Sequence, residues 1–157
     1  MKALGKLTLA MALCAMGAAA QDIQNVSDEF LKLLRSDVKA KKAQILKQVL
    51  SLDEEQGKKF WPVQGEYEAE LGKVNGQLLS LAKEYSDAWG NLTDAQARTM
   101  TMKWLDLAGQ RLALQKKYFE KVSKAVSPTV AAKFIQIERQ VLNALDAQLA
   151  AAVPLVR

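Results

Sequence analysis

The chain contains repeated signals for the start of an α-helix, and the clearest of them is Leu92-Thr93-Asp94-Ala95-Gln96. Thr93 can accept a hydrogen bond from the backbone N–H of Gln96. The Gln96 side chain can in turn accept one from the N–H of Thr93, so two otherwise unpaired donors are satisfied. Leu92 precedes this cap and can pack against Ala97. The motif predicts a helix that begins at Asp94.

Two weaker copies of this signal flank the first one. In Leu52-Asp53-Glu54-Glu55-Gln56, Asp53 can act as the cap and Gln56 as its partner. In Val126-Ser127-Pro128-Thr129-Val130, Ser127 can cap a helix whose first residue is Pro128, where the missing N–H does no harm. The chain is therefore predicted to be a series of helices that open in the same way.

Apolar residues recur at steps of three and four in each segment that these caps open, which is typical of amphipathic helices. The second helix is predicted to run to about Tyr85, the third from Asp94 to about Val126, and the fourth from Pro128 to Pro154. The predicted buried stripes are Phe60, Val63, Tyr67, Leu71, Val74, Leu78, Leu81 and Tyr85; Met100, Trp104, Leu107, Leu114 and Tyr118; and Val130, Phe134, Ile137, Val141 and Leu145.

The third helix carries a second apolar stripe beside the first, consisting of Leu105, Ala108, Leu112, Phe119 and Val122. Two adjacent stripes make a face wider than one neighbouring helix would cover. The sequence therefore indicates either a central helix or a partner surface.

Residues 22–50 are predicted to form a first helix, and this is the most basic part of the chain after residue 20. Its apolar positions include Val38, Ile45 and Val49, and between them lie basic side chains. Two interpretations stay open for these charges, a solvated helix face or a binding surface. The basic residues are Lys32, Arg35, Lys39, Lys41, Lys42 and Lys47.

The sequence has no strand-period segment, no Gly-rich phosphate loop and no long linker. We predict an all-α fold of four long antiparallel helices in an elongated helical hairpin bundle, with a kink and curvature caused by Pro62. Gly65, Ala69, Gly72 and Gly76 form a row of small residues on the second helix. This row indicates either close packing of another backbone or a helix that flexes.

Residues 1–20 resemble a secretory signal peptide, with basic residues, a short apolar core and a small-residue site before Gln21. We expect cleavage after Ala20, export to the periplasm, and a single domain over residues 21–157.

Cleavage would remove Lys2, Lys6 and Cys14, so the formal net charge falls from +5 to +3. Without Cys or His, the mature chain offers no disulfide, thiolate nucleophile or His base. No enzyme, cofactor, metal or nucleic-acid partner is predicted.

The sequence pattern favours structural explanations for the aromatic and acidic residues on the helices. Trp61, Trp89 and Trp104 are predicted to be core residues by their burial tendency, although Trp89 falls in a predicted loop over 86–92. The alternating acids of the second helix are predicted to spread around its surface rather than to pair as acid and base. These acids are Glu66, Glu68 and Glu70.

At its capped helix starts the sequence resembles the Spy/CpxP-like family of periplasmic proteins, which is defined by repeated Leu-Thr-x-x-Gln motifs. Leu92-Thr93-Asp94-Ala95-Gln96 matches this motif fully. Leu52 to Gln56 matches it with Asp53 in the threonine position, and Ser127-Pro128 keeps only the cap and the proline. In this chain, unlike the family, a whole basic helix precedes the first motif.

The resemblance implies a dimeric, cradle-shaped helical protein. Some members of the family are ATP-independent chaperones, and others sense envelope stress or metals. The expected function is binding of unfolded or stressed envelope proteins, and the alternatives are a non-enzymatic envelope-stress sensor or adaptor on a membrane partner, or a structural dimer. Metal sensing is not expected, because Met100 and Met102 are too close for one helical face. The candidate client-binding residues are Arg35, Val38, Lys39, Lys41, Lys42, Ile45 and Lys47.

Overall fold

The computed structural model describes residues 38–152. They form four α-helices and one short 3-10 helix, with no strand in this range, so the all-α bundle is confirmed. The signal peptide, residues 22–37 of the first helix and Pro154 lie outside the described residues. The helices are α1 (Val38–Leu50), α2 (Glu54–Ala88), α3 (Asp94–Ala125) and α4 (Pro128–Ala152), and the 3-10 helix is Trp89–Asn91.

The predicted caps form, and they set where three of the helices begin. At the start of α3, the Gln96 N–H donates to Thr93 Oγ1 at 3.3 Å and the Thr93 N–H donates to Gln96 Oε1 at 3.0 Å. At the start of α2, Asp53 and Gln56 make the same pair of bonds at 2.8 and 3.2 Å. Ser127 Oγ accepts from the N–H of the third residue of α4 at 3.2 Å.

The connection between α1 and α2 turns sharply at Ser51. Its φ angle of 47° lies in the left-handed region, which is costly for a residue with a side chain. The Ser51 hydroxyl donates to the carbonyl of Gln48 at 3.0 Å and so satisfies one of the last carbonyls of α1. This turn lets α1 fold back onto the other helices.

Polar pairs between α2 and α3 give the relative direction of these two helices. Residue numbers rise along α2 while those of the partners fall along α3, so the two helices run in opposite directions. The pairs are Glu66–Lys121, Glu70–Lys117, Asn75–Arg111 and Glu84–Lys103.

The core consists of one large apolar cluster and a smaller one. In the large cluster α1 packs on α4, α4 on α3 and α3 on α2. Its centre is aromatic: the ring of Phe134 meets those of Phe60 and Tyr67 edge-on, with centroids 5.5 and 5.3 Å apart. The smaller cluster is Val74, Leu78, Leu81 and Leu107.

Most of the predicted stripe of α2 is buried, but the predicted face of α1 is wrong. Ile45 and Val49 are 42% and 47% exposed, whereas Leu46 and Leu50 are buried. The packed face of α1 therefore follows a spacing of four residues that starts at Lys42. The apolar residues of a short helix can fit either of two neighbouring faces as the buried face. In α1 the contact with α4 determines which of the two is buried.

Two features of α2 differ from expectation. The helix continues past its predicted end near Tyr85 as far as Ala88 and is followed directly by a 3-10 helix, so the predicted loop over 86–92 is shorter than expected. Pro62 lies inside α2, and the kink there stays a prediction. A methyl group placed on Gly65, Gly72 or Gly76 would meet no atom within 4 Å. Within residues 38–152, no other backbone therefore packs closely on these three glycines.

Candidate functional site

The predicted basic surface of α1 is present in part. Lys41, Ile45 and Lys47 are exposed, and the Lys47 ammonium lies 5.7 Å from the centre of the Trp61 ring, where the negative face of the indole attracts it. Arg35 lies outside the described residues. For Val38 and Lys39 the structure describes only the helical backbone.

Lys42 does not belong to that surface. It is 4% exposed, and its ammonium group forms ion pairs with Glu68 of α2 and, at 3.0 Å, with Glu138 of α4. A lysine on the packed face of α1 can be buried only because carboxylates from two other helices meet it. As an exposed candidate for client binding, Lys42 was predicted wrongly.

The buried ion cluster, defined as Lys42, Glu68, Glu138 and Tyr67, joins three helices. Glu138 is fully buried, and burial raises its pKa to about 6, with Lys42 opposing the shift and Glu68 adding to it. Burial likewise raises the pKa of the Tyr67 hydroxyl. The cluster combines two carboxylates with one ammonium group, so its charges do not balance when both acids are ionised.

A second buried cation, Arg111, joins α2, α3 and α4. Its Nε and Nη2 atoms donate to Asn75 Oδ1 at 2.9 and 2.6 Å, and Nη1 donates to Asp146 Oδ1 at 2.7 Å. Such a charge-assisted fork fixes the three helices relative to one another. Sequence reasoning did not identify Arg111, which lies between two predicted apolar stripes.

The α3 helix carries most of the exposed large apolar side chains among the described residues. We call Trp104, Leu105, Ala108 and Leu112 the α3 apolar row, and its three large side chains are 51%, 60% and 48% exposed. Met102 extends the row and is 49% exposed. The prediction that Trp104 is a core residue is wrong, whereas the suggestion of a partner surface on this helix fits its exposure.

Part of the α3 apolar row forms one wall of a groove between α3 and α4. Trp104, Ala108 and Leu112 line one side, and polar groups including Arg139 and Asn143 line the other. Single exposed apolar residues are ordinary on protein surfaces, but a continuous apolar strip with a polar rim marks an interaction site. The arrangement can bind an apolar chain segment.

Basic residues outnumber acidic residues along both α3 and α1. The α3 helix has seven basic and three acidic residues, and α1 has four basic and none acidic. Two of the α3 lysines, Lys117 and Lys121, bind Glu70 and Glu66 of α2 at 2.7 and 2.6 Å. Lys103 pairs with Glu84 and Arg111 with Asp146, so the other three basic residues of α3 equal its three acids in number. The exposed lysines of α1, Lys41 and Lys47, are the basic groups that favour acidic chain segments.

The described residues show no arrangement that holds a metal and no helix that is long and apolar enough to cross a membrane. Comparison of the chain with protein-family models, curated proteins and solved structures finds no match. The resemblance to the Spy/CpxP-like family therefore stays a prediction.

Proposed function

We propose that this chain is a periplasmic, ATP-independent chaperone-like protein that binds unfolded or stressed envelope proteins. The observation that carries the proposal is the α3 apolar row, a strip of half-exposed large side chains. Export to the periplasm depends on the predicted signal peptide over residues 1–20. The proposed protein needs no cofactor, because its task is binding without chemistry.

The energetics of such a surface suit loose binding of many sequences. Fully burying one leucine gains about 1.5–3 kcal/mol, and the apolar contact does not depend on direction. The exposed lysines of α1 would attract acidic segments and raise the association rate, with an effect that salt screens. A few contacts of the size of a leucine, together with weak electrostatic attraction, give an affinity low enough for the bound client to dissociate.

The exposed face of α1 is the second part of the proposed client-binding surface. Lys41, Ile45 and Lys47 combine charge with an apolar side chain there, and Val49 adds to it. Arg35, Val38 and Lys39 stay in the proposal as neighbours of this face along the chain. Lys42 is left out because of its buried ion pairs.

Light scattering of a denatured acidic model protein, diluted into buffer without ATP, tests the proposal. The mature chain should suppress aggregation at low salt, and suppression should fade at high salt. The double variant Leu105→Ser/Leu112→Ser should lose most of the effect while keeping its fold, because both side chains are already half-exposed. The variant Ala113→Ser, which changes another exposed residue of α3, is the matched control.

Three results would contradict the proposal. The first is the absence of suppression at several-fold molar excess of the mature chain. The second is tight binding to one folded envelope protein with no effect on denatured chains, which would favour the adaptor function. The third is binding to anionic lipid vesicles alone, which would assign the basic apolar surface to a membrane.

A further inference from the structure

The groove between α3 and α4 has an apolar floor to which three helices each contribute a leucine. Leu78 of α2, Leu107 of α3 and Leu142 of α4 line the groove and are 4%, 6% and 5% exposed. The space above them is about 190 Å³. Pockets that hold small-molecule ligands are usually about 300–1,000 Å³ in volume, so this space suits one large side chain better than a cofactor. We call it the α3–α4 groove.

The α4 side of the α3–α4 groove carries a positive charge that has no partner in the described chain. Three charged residues line the groove, Arg111, Arg139 and Asp146. The Arg111 guanidinium and the Asp146 carboxylate bind each other at 2.7 Å. Arg139 is exposed and forms no ion pair within residues 38–152. An acidic side chain of a bound segment can therefore pair with the planar guanidinium of Arg139 through two hydrogen bonds.

Two amide side chains at the α3–α4 groove, those of Gln115 on α3 and Asn143 on α4, can bind a polypeptide backbone. Each amide offers both N–H donors and a carbonyl acceptor. Neither amide bonds to another residue within the described part of the chain. A helix has already bonded its backbone groups internally, whereas an extended, unfolded segment still offers them. The amides therefore favour an extended segment as the occupant.

We propose that the α3–α4 groove is the subsite that selects client segments, and that it binds an extended segment in which a large apolar residue neighbours an acidic one. The apolar side chain lies on the three leucines of the floor, and the acidic side chain pairs with Arg139. Charge complementarity favours this occupant, because two arginines and one aspartate line the groove and a basic segment would bring another cation to Arg139. The inference rests on the proposed function, since it names the class of segment that the α3 apolar row binds.

A charge swap tests the subsite with two labelled, permanently unfolded polypeptides and fluorescence anisotropy as the readout. Both polypeptides carry leucines at the same positions, but one has glutamate and the other lysine beside each leucine. In the mature chain, Arg139→Glu should weaken binding of the glutamate polypeptide by about tenfold and strengthen binding of the lysine polypeptide by about threefold or more.

The matched control is Lys133→Glu, which makes the same change of charge at an exposed position of α4 that does not line the α3–α4 groove. It should change either affinity by less than about threefold, because exposed charges far from the contact are screened. Equal effects of Arg139→Glu and Lys133→Glu would overturn the subsite and leave the proposed function in place. Failure of the unaltered chain to bind the glutamate polypeptide would overturn both.

A third polypeptide, with serine in place of each leucine beside the glutamates, tests the apolar floor. It should bind the unaltered chain at least about tenfold less tightly than the glutamate polypeptide with its leucines. Equal binding of these two polypeptides would overturn the subsite, because charge alone would then explain the contact. The side-chain amide signals of Gln115 and Asn143 in NMR spectra locate the contact: they should shift when the glutamate polypeptide binds, and unchanged signals would also overturn it.

Discussion

Replacing Glu138 with glutamine should stabilise the protein at neutral pH and leave it almost unchanged in acid. Burial raises the pKa of this carboxyl from 4.5 to about 6, and the charge of Glu68 adds to the shift while Lys42 opposes it. One pKa unit corresponds to about 1.36 kcal/mol, so the ionised form costs the folded state about 2 kcal/mol. Glu138→Gln removes that charge while its amide can still accept a bond from Lys42 and donate one to Tyr67.

The sign of the pH dependence follows from the raised pKa. The folded chain binds the Glu138 proton more tightly than the unfolded chain does, so the penalty is fully present above about pH 6 and vanishes below about pH 4.5. Glu138→Gln should therefore raise the free energy of unfolding by up to about 2 kcal/mol at pH 7.5 and by little at pH 4. The other charged or titratable groups near this site are Lys42 on α1, Tyr67 and Glu68 on α2, and Arg111 on α3.

Urea unfolding followed by circular dichroism between pH 4 and pH 8 measures this difference. The comparison is between Glu138→Gln and the unaltered chain at each pH, so titration of other groups cancels to first order. Glu120→Gln, at an exposed position of α3, is the control and should change the free energy of unfolding by less than about 0.5 kcal/mol. A Glu138→Gln variant that is less stable at pH 7.5, or a difference that does not change with pH, would refute the reasoning.

Three further changes test the local contacts, each by urea unfolding. Thr93→Ala removes the cap of α3 and should cost about 1 kcal/mol; no loss would contradict the capping argument. Gly72→Ala should stabilise α2 by up to about 1 kcal/mol, since a methyl group meets open space there; destabilisation would reveal an unseen contact. The Lys117 ammonium beside Glu70 holds the pKa of that carboxyl below its usual range, so Glu70→Gln should lower stability at pH 7 and the loss should disappear in acid; a loss that persists in acid would contradict the ion pair.

The starts of the helices were predictable from the sequence because their causes are local. Thr93 and Asp53 bond to groups three residues away, so the motif contains both partners of each bond. Ser127 with a following proline gives an equally local signal. These starts, together with the apolar spacing of three and four residues, were enough for the all-α fold.

The sites were less predictable because they depend on contacts between distant residues. Lys42 and Glu138 are 96 positions apart, and neither shows its partner in the local pattern. The sequence did contain a signal of burial, since Glu138 lies four residues from Phe134 and four from Leu142 on the buried face of α4. A charged residue at a buried position of a helix must have a polar partner, but the local sequence does not show which residue that partner is.

The exposure of the Leu105 and Leu112 side chains could also be determined only from the structure. Apolar periodicity showed two stripes on α3, but it does not tell which stripe the neighbouring helices cover. In the fold α2 and α4 bury Leu107 and Tyr118, and the second stripe is left partly exposed. That exposure is the physical basis of the proposed binding function.

The most direct test of that function is the affinity of the mature chain for a labelled, permanently unfolded acidic polypeptide, measured by anisotropy at low salt. Leu105→Ser/Leu112→Ser should weaken this affinity by about tenfold or more, because two apolar contacts of about 1 kcal/mol or more each are lost. The control Ala113→Ser should bind like the unaltered chain. Equal affinity of the double variant and the unaltered chain would contradict the role of the α3 apolar row.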